Sequence, residues 1–96
     1  MVTKAQARAA EEDAARQLTL EEELNELDGK IERLRILYEQ FFIGVEKMEP
    51  IVLRKDVERT VRKLTQVNIN NTGLRFRFQN QQQRMQVFAV HWGRVL

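Results

Sequence analysis

Arginine, asparagine and glutamine dominate the second half of the chain, and they have the clearest binding chemistry in this sequence. Residues 59–96 contain seven basic side chains, ten Asn or Gln and no acidic side chain. Arginine can pair with phosphates, and Asn and Gln can hydrogen bond to base edges. The stretch is typical of a nucleic-acid-binding surface, with Arg75, Arg77 and Arg84 as candidate contacts. Phe76 and Trp92 are candidates for stacking on a base.

The acidic first half of the chain opposes that interpretation, because it would repel a polyanion. Residues 1–50 carry twelve acidic and seven basic side chains, whereas residues 51–96 carry nine basic and two acidic ones. The two halves are therefore electrostatically complementary, and pairing between them accounts for the arginines as well. Nucleic-acid binding is the alternative function, and binding to protein is the main prediction.

The side chains that act as nucleophiles or metal ligands are scarce. The chain has no serine and no cysteine, and His91 is its only histidine. A single imidazole cannot build a metal site without ligands from elsewhere. Carboxylates four residues apart, such as Glu22 and Glu26, suit a solvated helix face. We therefore expect no enzymatic activity, no metal and no cofactor.

Apolar residues in the first half recur at alternating spacings of four and three, which is the period of one helix face. They are Leu20, Leu24, Leu27, Ile31, Leu34, Tyr38, Phe41, Val45 and Met48. Thr19 and Glu22 form a capping-box pattern just before this stripe. The pattern predicts helix one over 20–46.

Pro50 predicts a turn, because proline disfavours helix at the preceding residue and suits the first turn of a new one. A second stripe with the same spacing follows the predicted turn at 47–50. It contains Leu53, Val57, Thr60, Leu64, Val67, Asn71, Leu74, Phe78, Gln81, Met85, Phe88, Trp92 and Val95. One continuous helix over 51–95 would place all of them on one seam. The predicted fold of residues 19–96 is all-α, a coiled-coil-like antiparallel two-helix hairpin.

A competing local pattern lies inside the second stripe. Residues 70–73, Asn-Asn-Thr-Gly, are typical of a turn, and residues 74–78 alternate like a strand. No second alternating segment exists to pair with such a strand. The helical spacing also passes through without a skip, so the continuous helix is favoured.

The first eighteen residues form a leader rich in alanine and charge, which we expect to be either a helical extension or disordered. It lacks the basic end and apolar block of a secretory signal. The apolar runs of the chain are too short to span a bilayer. The sequence therefore predicts a cytoplasmic protein with no membrane role.

Two helices cannot cover all the apolar side chains of the predicted hairpin. The internal seam is expected to join Leu27, Ile31, Leu34, Tyr38 and Phe41 to Val57, Leu64, Leu74, Phe78 and Met85. Apolar residues off this seam are expected to contact a partner; they are Ile36, Phe42, Ile43, Ile69 and Phe76. Because 96 residues barely suffice for one core, we predict a dimeric helical bundle, with a homodimer as the first choice and another protein as the second.

Three segments carry a resemblance: LYEQFFIGVE at 37–46 followed by Pro50, NTGLRFRFQ at 71–79, and HWGR at 91–94. Together they resemble an uncharacterised helical segment of larger multi-domain bacterial proteins, chiefly myxobacterial, over roughly residues 27–96. The resemblance implies a module of a larger cytoplasmic assembly and transfers no catalytic or ligand-binding residue. Combined with the seam, it predicts a non-catalytic scaffold or protein-docking module.

Overall fold

The computed structural model describes residues 3–96, apart from the side chain of Asp13. The described residues form three α-helices, which are α1 (Lys4–Phe42), α2 (Ile51–Thr65) and α3 (Thr72–Val95). The all-α prediction is confirmed. The two-helix hairpin is wrong, because the second predicted helix is interrupted between residues 65 and 72. Residues 1 and 2 of the predicted leader lie outside the described residues.

Helix α1 begins well before the predicted start. The Thr3 hydroxyl accepts a hydrogen bond from the backbone N–H of Gln6 at 3.1 Å, and the Gln6 side-chain oxygen accepts one from the backbone N–H of Thr3 at 3.0 Å. This is a capping box, which satisfies two N–H groups at the helix start. The predicted cap at Thr19 is wrong, because its hydroxyl donates to the carbonyl of Ala15 at 3.0 Å inside the helix. The described part of the leader is therefore helical.

Helix α1 also ends earlier than predicted, at Phe42. Gly44 has a φ of +83°, a left-handed conformation that terminates helices and that side chains with a Cβ rarely adopt. Pro50 immediately precedes α2, as its fixed φ predicts. The predicted turn at 47–50 is thus the second half of a longer connection, 43–50.

A second reversal separates α2 from α3. Asn71 precedes α3, and its side-chain oxygen accepts a hydrogen bond from the backbone N–H of Leu74 at 3.0 Å. Asparagine is among the best residues for this capping role. A Cβ on Gly73 would lie only 3.3 Å from that oxygen, so glycine permits the close approach of the cap. The turn pattern at 70–73 therefore correctly indicates a break before α3. The alternating residues after it form part of that helix and not a strand.

Helix α2 runs antiparallel to α1. Lys30 Nζ of α1 lies 2.9 Å from Asp56 Oδ2 near the start of α2. Lys63 Nζ, near the end of α2, lies 3.4 Å from Glu23 Oε1, which comes earlier in α1. These two ion pairs join the first two helices in opposite directions.

Helix α3 runs parallel to α1 and completes a three-helix bundle. Arg77, near its start, pairs with Asp28, and Trp92, near its end, stacks on Tyr38. Both partners lie on α1 in the same order. The chain therefore turns back after α2, instead of continuing beyond the bundle.

The core lies between α1 and the other two helices. Its buried apolar residues are Leu24, Leu27, Ile31, Leu34, Tyr38, Val57, Leu64, Ile69, Leu74, Phe78, Met85 and Trp92. Every residue of the predicted internal seam is among them except Phe41, which is half-buried. The stripes thus identify the core even though the helix that carries the second one is broken.

The amino-terminal end of helix α1 extends past helices α2 and α3. Its 39 residues span about 58 Å at about 1.5 Å per residue, close to the longest dimension of the molecule, 64 Å. Every described side chain of residues 4–18 is exposed. This segment, called the arm below, projects beyond α2 and α3.

Candidate partner-binding surfaces

Two of the three arginines predicted to contact nucleic acid are engaged within the bundle. Arg77 Nη2 donates to Asp28 Oδ2 at 2.7 Å and to Asn25 Oδ1 at 2.6 Å. Arg84 Nη2 donates to Glu32 Oε2 at 2.6 Å. The prediction that they serve as free phosphate contacts therefore does not fit their positions. Arg75 alone of the three is exposed without an ion pair in the described part of the chain.

Gln81, a member of the second stripe, makes buried polar contacts with α1 that the helical spacing did not predict. Its amide nitrogen donates to the carbonyl oxygen of Leu24 at 2.9 Å and to Asp28 Oδ1 at 2.7 Å. The side chain is only 4% exposed, and its Oε1 has no hydrogen-bond partner among the described residues. Gln81 therefore aligns α3 with α1 at the cost of one unsatisfied buried oxygen.

Arg77 and Gln81 both affect the pKa of the Asp28 carboxylate. Burial disfavours its charged form, but hydrogen bonds from Arg77 and Gln81, together with the positive charges of Arg77 and Arg84, outweigh that effect. The pKa of Asp28 is consequently held below its ordinary value. This carboxylate is a structural ion-pair partner in the α1–α3 contact.

Trp92 is enclosed in an aromatic stack and is not available to a base. Its ring lies 4.0 Å from the ring of Tyr38 and 5.8 Å from the ring of Phe88, between centroids. The guanidinium carbon of Arg54 lies 5.5 Å from the centroid of the Trp92 ring. Trp92 is 2% exposed, so the predicted base-stacking role does not fit its position.

The Tyr38 hydroxyl links this stack to the α1–α2 connection. It accepts a hydrogen bond from Arg54 Nη1 at 3.0 Å and donates to Glu49 Oε2 at 3.3 Å. Burial raises the pKa of Tyr38, and the negative charge of Glu49 adds to the rise, while Arg54 opposes it. The phenol thus stays protonated and acts as a bridge between connection and bundle.

An unpaired basic stripe lies on the outer face of α2. Lys55, Arg59 and Arg62 follow one another at spacings of four and three, which places them on one side of the helix. All three are exposed, and within residues 3–96 none makes an ion pair. These side chains, with Arg75, are the free cations that nucleic-acid binding would require.

The five apolar residues predicted to contact a partner do not form one surface. Ile36, Ile43 and Phe76 are exposed, at 40%, 75% and 64%. Ile69 is 8% exposed and belongs to the core, so its assignment to a partner does not fit. Phe42 packs partly against the core, with its ring 5.7 Å from that of Tyr38.

Exposed apolar side chains are concentrated instead at the α1–α2 end of the bundle. Between 46% and 86% of each is exposed, and they are Ile43, Val45, Met48, Ile51 and Val52. This group is called the end patch below. Two of its members, Val45 and Met48, belong by spacing to the predicted seam of helix one. Because α1 stops at Phe42, they leave that seam and face solvent.

A cleft of about 440 Å³ lies at the opposite end, where the arm joins the bundle. Helix α1 contributes residues 15–17, 19, 20 and 23 to one wall, and the α2–α3 connection contributes residues 67–71 to the other. Its walls mix apolar side chains such as Leu20 with amides such as Asn68 and Asn70. Backbone and side-chain polar groups in this cleft are accessible to a partner.

The described residues contain no group of three or more His, Asp or Glu side chains arranged to hold a metal ion. His91 is exposed, and its ring meets the edge of Phe42 at 6.4 Å between centroids. Within residues 3–96, no helix has the length and apolar character needed to cross a membrane.

Comparison of the chain with protein-family models, curated proteins and solved structures finds no match.

Proposed function

We propose that this protein is a non-catalytic helical docking module, in which the three-helix bundle holds the end patch against an apolar surface of another protein. One observation supports the proposal above others: five large apolar side chains within residues 43–52 are exposed together at one end. Clusters of exposed apolar side chains are typical of protein interaction sites. Membership of a larger bacterial cytoplasmic assembly, implied by the resemblance, remains part of this proposal.

The bundle gives the patch a rigid support. The Tyr38 hydroxyl of α1 bonds to Glu49 of the connection and to Arg54 of α2. Those bonds tie the connection at Glu49 to both helices, which reduces the ordering that a partner would have to impose. A pre-ordered surface binds more tightly, since less conformational entropy is lost on association.

Photocrosslinking at Val52 tests this proposal. Val52 is 86% exposed, so p-benzoylphenylalanine fits there without disturbing the core. In cells that produce the protein, we expect a discrete protein adduct that Met48→Glu abolishes. Val90→Glu, a matched change at an exposed apolar position on α3, should leave the adduct intact. Absence of an adduct, or an adduct that persists in Met48→Glu, would contradict the proposal.

Nucleic-acid binding is the second candidate, supported by the free cations Lys55, Arg59, Arg62 and Arg75. Titration with a mixed-sequence oligonucleotide should show affinity that falls steeply between about 50 and 200 mM salt if phosphates are contacted. Arg59→Gln with Arg62→Gln should weaken that binding. The matched pair Lys4→Gln and Arg8→Gln, on the arm, should not. No binding at the lower salt concentration would remove this candidate.

A further inference from the structure

The arm presents an exposed helix face with an ordered sequence of charges. Side chains spaced by three or four residues lie on one side of a helix. One such line consists of Lys4, Arg8, Glu11, Ala15, Leu18, Glu22 and Glu26, all of them exposed. This line is called the arm face. In the described part of the chain, none of its charged side chains makes an ion pair.

The arm face points away from both neighbouring helices. Glu23 and Lys30 of α1 contact α2, and Asn25 and Asp28 contact α3. Residues of the arm face alternate with these positions and lie on the remaining side of α1. All seven of its residues are exposed, and Ala15 also borders the cleft.

The arm extends a helix that the bundle nucleates, so it does not carry the nucleation cost of an isolated helix. Without tertiary contacts, however, its end is stabilised only by its own backbone hydrogen bonds and helix propensity. The arm has a capping box at its start and borders the cleft only at residues 15–17, and Leu18 within it is 62% exposed. A second helix lying along the arm face would cover Leu18 and supply the missing contacts.

The charge order of the arm face identifies that second helix as another copy of the same segment. Lys4 and Arg8 come first and Glu22 and Glu26 come last, and a third acidic residue, Glu11, comes just before the midpoint at Ala15. When two copies run antiparallel about Ala15, Lys4 meets Glu26 and Arg8 meets Glu22. Each pair occurs twice because the arrangement is two-fold symmetric. Parallel copies would instead place like charges opposite each other, so only the antiparallel orientation is complementary.

We propose that the protein forms an antiparallel homodimer through the arm faces of two copies. Ala15 allows the two backbones to approach closely at the centre, and on either side Leu18 of one copy lies against the aliphatic part of Glu11 of the other. The dimer places the two end patches at opposite ends of a rod, roughly 90 Å apart at 1.5 Å rise per α1 residue. The contact uses none of the residues of the proposed docking site, so either conclusion stands without the other.

Charge reversal on the full chain tests the proposal by sedimentation velocity. At about 50 mM salt, where surface charges are weakly screened, we expect a concentration-dependent monomer–dimer equilibrium. Lys4→Glu with Arg8→Glu turns all four cross-copy pairs repulsive and should raise the dissociation constant at least about tenfold. Glu22→Lys with Glu26→Lys should do the same. A mixture of the two variants should form a heterodimer, because their arm faces carry opposite charges.

Matched variants separate this contact from other routes to association. Lys55→Glu with Arg59→Glu makes the same change in net charge on the outer face of α2, and it should leave the dimer intact. Met48→Glu should also leave it intact, because the end patch lies at the far end of the bundle. Circular dichroism should show each variant to be folded.

Three results would overturn the proposal. The first is a wild-type chain that stays monomeric up to about 100 µM, a concentration well above ordinary dimer dissociation constants. The second is a dimer whose dissociation constant the arm variants do not raise. The third is a mixture of the two arm variants that forms no heterodimer. Dissociation by Met48→Glu alone would place self-association at the end patch and equally overturn it.

Discussion

Tyr38 of α1 and Trp92 of α3 lie face to face, with ring centroids 4.0 Å apart and ring planes inclined by 16°. Both side chains are almost fully buried, at 0% and 2% exposure. The contact joins the first helix to the last near the end patch, and it fixes α3 parallel to α1. Offset aromatic pairs contribute beyond the area that they bury.

Removing this stack should unfold the bundle at lower denaturant concentration. We expect Trp92→Ala to lower the free energy of unfolding by about 3–5 kcal/mol, because it loses the aromatic contacts and leaves a cavity. Urea denaturation followed by far-ultraviolet circular dichroism measures the change. Val90→Ala, at an exposed position on α3, should stay within about 0.5 kcal/mol of the wild type. Equal stabilities of the two variants would contradict the assigned role of Trp92.

The unsatisfied oxygen of Gln81 allows a second test. Gln81→Leu removes that oxygen together with two hydrogen bonds, so we expect stability within about 1 kcal/mol of the wild type. Gln81→Glu, which is nearly isosteric, places a carboxylate in a buried site beside Asp28 and the carbonyl of Leu24. Gln81→Glu should therefore lower the free energy of unfolding by about 2–4 kcal/mol. Urea denaturation at neutral pH distinguishes them, and a less stable leucine variant would show that the hydrogen bonds dominate.

The cap at the second reversal predicts a difference between two adjacent asparagines. Asn71→Ala removes the side-chain oxygen that accepts from the N–H of Leu74, and it should cost about 1 kcal/mol. Asn70→Ala changes an exposed neighbour outside the helix start and should have little effect. Thermal unfolding would show the first variant alone melting lower, by about 4–8 °C for each kcal/mol. If both melted alike, the capping role would be wrong.

Acid should weaken the contact between α1 and α3. The folded pKa of Asp28 lies below its ordinary value of 3.8. The stability it contributes is therefore present above that ordinary value and is lost as pH falls through the folded pKa. Urea midpoints should decline below about pH 4, and Asp28→Asn should make the decline shallower. An unchanged pH dependence in that variant would contradict the role of this carboxylate.

Helical spacing located the core but did not show where the second helix breaks. Leu64 and Leu74 both occupy the predicted seam and both are buried. In a straight helix they would share one face, and in the bundle they face α1 from two helices. The spacing is the same in either case, so it could not distinguish them. The turn pattern at 70–73 did mark the break, and the uninterrupted spacing outweighed it in the prediction.

The candidate surfaces were less predictable than the core. Ile43 was expected to face a partner and lies in the end patch, while Ile69 was expected there and lies in the core. Arg77 and Arg84 were expected to be free and are paired with carboxylates of α1. Each of these outcomes depends on which helix lies alongside, because exposure is a property of neighbours and not of the residue itself.

The sequence by itself determined the helical class, the apolar positions that form the core and the reversal that precedes α2. These follow from local physics: the side-chain period and the backbone restriction imposed by Pro50. Only the tertiary structure decided that α3 folds back parallel to α1, that the arm is left uncovered and that the end patch faces solvent. Folding back buries the apolar face of α3, including Trp92, and that gain outweighs the helical hydrogen bonds lost at the second reversal. Such a balance depends on contacts between distant residues, which no local pattern records.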